Sequence, residues 1–103
     1  MHKLLVTYTR PNDIDGFEKH FREVHAPMVR SIPGLKKLVI NRITGNALGS
    51  PPSLYLIAGL QFGPKENYEA AMRSEENIEA GRDAVEFCRA TGSQIEVLIA
   101  HED

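Results

Sequence analysis

Hydrophobic and polar positions alternate between two periods along this chain. From residue 3 to residue 9, Lys3 to Thr9 is rich in β-forming residues and stops at Arg10-Pro11-Asn12-Asp13, a turn whose Asp13 can also cap a helix. A helical period follows: at roughly 100° per residue, Ile14, Phe17, Phe21, Val24 and Met28 fall in one narrow stripe. This predicts a helix from about Asp13 toward Ser31, ended by Pro33-Gly34, with a kink or stop where Pro27 disfavours helical geometry at Ala26. Leu35 to Thr44 reads as a second strand, and 45–53, with its glycines and prolines, as a connection. Leu54 to Phe62 is a third, nearly all apolar strand. Gly63-Pro64 opens a short helix over Lys65 to Met72, and Ser74 caps another running to about Ala90. Thr91-Gly92 closes that helix, and Gln94 to Ala100 makes the last strand.

The order β-α-β-β-α-β predicts an α+β fold of the ferredoxin-like type, with both helical segments on one face of an antiparallel four-stranded sheet. A half-solvated sheet alternates apolar and polar residues, but Leu54-Tyr55-Leu56-Ile57-Ala58-Gly59-Leu60 and Val97-Leu98-Ile99-Ala100 do not. Leaving such a face bare would expose a large apolar patch. A second copy packed sheet to sheet, as a homodimer, removes it.

Composition narrows the classes. With 103 residues, the chain has the size of a single domain, 1–103, able to bury a core. A net charge of −2 carries no footprint for nucleic acid or an acidic membrane. One cysteine forms no internal disulfide, and no apolar run approaches spanning length, which fits a protein of the cytoplasm. The glycines form no phosphate-binding pattern and no Gly-x-Ser-x-Gly elbow is present.

Candidate chemistry centres on the first helix. On the helical wheel His25 lies roughly 60° from the centre of the stripe and His20 roughly 80° away on the other side. A ring at such a margin can lean over a cavity while keeping one nitrogen near water. With an ordinary pKa near neutrality, His25 is the best candidate for a general acid or base. The competing reading is that it only ties off a carbonyl freed by Pro27. His20 and His25 sit five residues apart, on opposite margins, the wrong spacing for a shared metal, so no metal is expected.

The run Phe17-x-x-His20-Phe21-x-x-x-His25-Ala26-Pro27-Met28, followed by Ile32-Pro33-Gly34-Leu35, resembles the EthD family of the dimeric α/β-barrel superfamily. The resemblance continues through Ser53-Leu54-Tyr55, Ala70-Ala71-Met72-x-Ser74-x-Glu76 and Asp83-x-x-x-Phe87, and so covers essentially the whole chain. It implies a ferredoxin-like monomer whose sheet pairs with its mate to close a barrel. It also implies a small-molecule pocket between helices and sheet. One departure is that Phe21 stands where the family often carries Tyr or Trp.

Residues and resemblance together predict an enzyme of catabolic or secondary metabolism acting on a hydrophobic or aromatic molecule by cofactor-free acid–base chemistry. Isomerisation, dehydration, cyclisation and cofactor-free oxygenation are the candidate reactions. The alternative is a non-catalytic ligand-binding or accessory protein. His25 is the expected catalytic residue, and Tyr8, His20, Phe21, Met28, Tyr55 and Phe62 are the expected pocket residues. Asp83 is expected in a structural part, and Cys88 to be inert.

Overall fold

The computed structural model describes residues 1–103. Four strands, β1 (His2–Thr9), β2 (Lys37–Arg42), β3 (Leu54–Gly63) and β4 (Ile95–His101), form one sheet in the order β2-β3-β1-β4. Every neighbouring pair is antiparallel. The helices are α1 (Ile14–His20), α2 (Ala26–Arg30), α3 (Lys65–Met72) and α4 (Glu75–Thr91). None is long and apolar enough to cross a membrane. This is the expected ferredoxin-like arrangement.

Register decides what faces the helices. Leu4, Val6 and Tyr8 of β1 pair with Leu60, Ala58 and Leu56 of β3 on one side, and with Ile99, Val97 and Ile95 of β4 on the other. The β1 and β3 residues of this set are buried, so they form the helix-covered face. The strand alternation that puts them there puts Leu5, Ile57, Val39 and Leu98 on the opposite face, where Leu98 is 43% exposed.

Caps fix the helix ends. The Asp13 carboxylate accepts from the Gly16 N–H at 3.0 Å, and the Ser74 hydroxyl accepts from the Asn77 N–H at 3.1 Å. Gly92 ends α4 in the left-handed region at φ 80°, and a Cβ there would lie 2.4 Å from the Asn12 side chain.

An aromatic cluster locks α1 and α4 to β1. Phe17 is fully buried and stacks on Phe21 at 5.9 Å, while Tyr8 meets Phe17 edge-on at 5.5 Å. Phe87 of α4 completes the group, 5.2 Å from Phe17. Removing Phe17 would empty the centre of this cluster. Phe17→Ala is expected to destabilise the fold by about 3–5 kcal/mol in urea unfolding; a change under about 1 kcal/mol would show that the cluster does not anchor α1.

One element departs from expectation. The first helix is not a single α-helix with a kink, because a π-helical turn, Phe21–His25, joins α1 to α2. Its signature is the Ala26 N–H bonding back to the Phe21 carbonyl, five residues earlier. Pro27 supplies the reason: it has no N–H to give the Glu23 carbonyl, and its ring would crowd that oxygen in α-helical register. The widened turn removes the clash and lets the chain continue into α2.

Candidate functional site

The π turn changes which side chains share a face. An α-helical wheel puts residues five apart at roughly 140° from each other. In a turn bonded five residues back, each residue rotates only by roughly 80°, so residues five apart end roughly 40° from each other. His20 and His25 are therefore neighbours, and both reach Asp83 of α4. His25 Nδ1 lies 3.0 Å from Asp83 Oδ2, and His20 Nε2 lies 2.8 Å from Oδ1 and 3.0 Å from Oδ2. Phe87, one turn after Asp83, packs under both rings with centroids 5.0 Å from each.

These partners set the tautomer of His25. An ionised carboxylate only accepts, so Nδ1 carries the proton and donates it to Asp83. Nε2 then holds a lone pair, and the Tyr8 hydroxyl donates to it at 3.4 Å. The result is a buried chain, Asp83–His25–Tyr8, with the side chains of Asp83 and His25 only 15% and 6% exposed. His20, the second ring on Asp83, is 33% exposed and lies nearer water.

Electrostatics favour a neutral base. Burial lowers the His25 pKa below its ordinary value and outweighs the opposing pull of the Asp83 carboxylate. Burial raises the Tyr8 phenol well above its ordinary range, helped by Cys88 and the Asp83 charge, so the hydroxyl stays protonated. Burial also pushes the Cys88 thiol up to about 11, which leaves it unreactive at neutral pH.

The chain ends in a cavity of about 300 Å³ between the sheet and the helices. Leu4, Val6 and Tyr8 of β1 form its floor with Ala58 and Leu60 of β3. Ala80, Gly81 and Ala84 of α4, with Val29 and Ile32, form its roof. Its size is at the lower end for small-molecule sites. No lysine, arginine or acidic residue lines it.

Three residues expected from the sequence meet here: His25, Tyr8 and Phe21 all line the cavity. Four do not. His20 is turned to Asp83 instead. Tyr55 falls where the β1–β3 register shifts, stands edge-on to Phe17, and donates its hydroxyl to the Glu18 carboxylate. Glu18 is also held by Arg42 at 2.7 and 3.1 Å, a pairing that keeps its carboxyl below the usual range. Phe62 is fully buried core against Tyr68, and Met28 packs on the core from α2. Asp83, expected only to be structural, is the residue that joins both histidines. Its signal was available: a carboxylate at the i+3 position of the buried stripe Ala80, Ala84, Phe87, Cys88.

Fold and site define a ferredoxin-like α+β protein whose helices roof an apolar cavity with a buried Asp–His–Tyr chain at one end. No family model matches the chain. It is similar to the crystal structure of an ethyl tert-butyl ether D (EthD) family protein from Bacillus halodurans, at 32% identity and TM-score 0.89, covering 100% of this chain and 99% of that one. It is also 31% identical over 87 residues to an uncharacterized 11.0 kDa protein from the thcB-thcC intergenic region of Rhodococcus erythropolis, covering 84% of each. The chain belongs to the EthD family. At 13% identity and TM-score 0.66 it shares its fold with SnoaB, a cofactor-independent oxygenase from Streptomyces nogalater, covering 99% of this chain and 92% of that one.

Proposed function

We propose that this single-domain chain is a cytoplasmic enzyme that moves a proton on a small hydrophobic or aromatic molecule, without metal or organic cofactor. The observation that carries the reading is the His25 lone pair, oriented from behind by Asp83 and directed to the cavity end beside Tyr8. Such an arrangement suits abstraction of a proton next to a carbonyl or from a phenol. His25 Nε2 takes the proton and becomes imidazolium, which the Asp83 carboxylate stabilises. Tyr8, its long hydrogen bond to His25 released, turns its O–H to the substrate oxygen as that oxygen gains charge. The proton then returns to another atom of the substrate, or exchanges with solvent on His25 before the substrate is reprotonated. At the buried His25 and Tyr8 end the apolar walls limit water and strengthen each of these interactions. The same fold carries a cofactor-independent oxygenase, which supports this class of chemistry.

Deuterium uptake tests the reading. In D₂O, β-tetralone, a neutral benzo-fused ketone, should exchange its α protons faster with the protein than with buffer, as read by proton NMR. Binding without any acceleration would reject catalysis and favour a ligand-binding or accessory role.

The working unit in this reading is a homodimer joined through the sheet. Leu5, Val39, Ile57 and Leu98 make the outer face apolar. Pairing two such faces should bury more than roughly 1,200 Å². Light scattering at micromolar concentration should report twice the monomer mass; a stable monomer would reject this assembly.

A further inference from the structure

Gly81 has no structural reason to be glycine. It lies inside the 17-residue helix α4, where glycine is less stable than alanine, and its φ is not positive. A Cβ added there would meet nothing within 4 Å. Neither backbone conformation nor close packing requires the missing side chain. What Gly81 does is line the cavity between Ala80 and Ala84, on its open side, where it is itself exposed. Opposite it, Val97 and Ile99 of the edge strand β4 line the same cavity yet are 57% and 74% exposed, so the cavity opens along this side.

The cavity also has direction. Its floor runs along β1 from Tyr8 to Leu4, about 13 Å at roughly 3.3 Å per residue. At the Tyr8 end lie the phenol and imidazole; at the other, Tyr68 lines the wall and is packed by the His2 ring at 5.5 Å. The cavity is elongated along β1 and open along β4, a shape that suits an alkyl chain or a ring seen edge-on. No cationic side chain lines it, and the Asp83 carboxylate stands directly behind His25. An anionic group on a ligand would enter this apolar space without a permanently charged partner.

We infer that the ligand is an uncharged, elongated apolar molecule ending in one phenolic hydroxyl or carbonyl, lying along β1 with that end at Tyr8 and His25, and that Gly81 sets the width admitted along the open side. The inference rests on the proposed site and adds its substrate class and its size gate.

Calorimetric titration with para-alkylphenols tests it. Affinity for the wild-type protein should rise about three- to fourfold per methylene from para-ethyl to para-hexylphenol, then level off by para-nonylphenol as the chain passes Leu4. Para-hexylbenzoate, ionised at pH 7, should bind at least about tenfold more weakly than para-hexylphenol. Gly81→Leu should weaken para-hexylphenol at least about tenfold and phenol far less. Gly81→Ala should raise the melting temperature by a few degrees, because the helix gains where nothing is crowded. Equal affinity for phenol and benzoate, no gain with chain length, or full binding by Gly81→Leu would each overturn the inference. A change of oligomeric state in Gly81→Leu with phenol affinity intact would also overturn it, by assigning the open side to a second copy. Failure of all phenols to bind, with β-tetralone exchange still accelerated, would reject this ligand class and leave the catalytic reading standing. Failure of both would reject the two together.

Discussion

His25→Gln is expected to keep the fold and to exchange β-tetralone protons about 10²- to 10⁴-fold more slowly than the wild-type protein, the usual contribution of a positioned general base. Glutamine is close to histidine in reach, and its amide N–H can still donate to Asp83. The buried carboxylate therefore keeps a partner, and only basicity is lost. His25→Ala should lose as much and regain part of it when free imidazole is added, since the vacated space adjoins a cavity that admits small rings. Full exchange by either variant would remove His25 from the mechanism. Loss of folding in both would return it to the role of tying off the helix.

The pH dependence follows from the same group. Burial holds the folded-state pKa of His25 below its ordinary value of 6.5, so the neutral, basic form predominates at pH 7. Activity should be flat through neutral pH and fall only on acidification, with its acid limb below pH 6.5. Stability moves the same way. The unfolded chain binds a proton at His25 before the folded chain does, so this part of the stability is present above pH 6.5 and lost as pH falls through the folded-state value. Melting temperatures and exchange rates measured from pH 5 to 8 should therefore decline together on the acid side. An acid limb above pH 6.5 would assign it to another group.

How far this was legible depends on the element. The strands were plain because β-branched and apolar residues cluster between turn signals, and Tyr8 could be placed with Leu4 and Val6 by alternation alone. The caps Asp13 and Ser74 were legible because capping is local chemistry. The pairing of His20 with His25 was hidden, because a wheel drawn at α-helical pitch separates them and only the proline's conflict with the Glu23 carbonyl widens the turn. Tyr55 was named only for its residue type on a strand; the register shift beside Thr9 turns it toward Phe17 and Glu18, away from the cavity. The cavity itself depends on how far α4 stands from the sheet. That spacing is set by packing between Ala80, Gly81, Ala84 and residues remote in sequence, and no local pattern carries it.

Asp83→Asn should separate orientation from base strength. An asparagine amide presents one acceptor and one donor edge where the carboxylate presents two acceptors. Two imidazoles face it, so one of them must accept instead of donate. If His25 is that ring, its proton moves to Nε2, the lone pair leaves the cavity side, and the base is in the wrong tautomer. If His20 is that ring, His25 keeps its tautomer but loses the negative charge that stabilises its imidazolium. Either way turnover falls, and the expected loss is about 10²-fold or more. The fold survives, because the amide still fills the space above Phe87 and still bonds both rings; a drop in melting temperature of about 5 to 10 °C is expected for the weaker pair of hydrogen bonds. His20→Gln is the control. It removes an imidazole that does not line the cavity and leaves an N–H for Asp83, so its loss should stay within about tenfold. Asp83→Asn within about threefold of wild type, or His20→Gln falling as far as Asp83→Asn, would show that the carboxylate serves packing between α1 and α4 and not the alignment of His25.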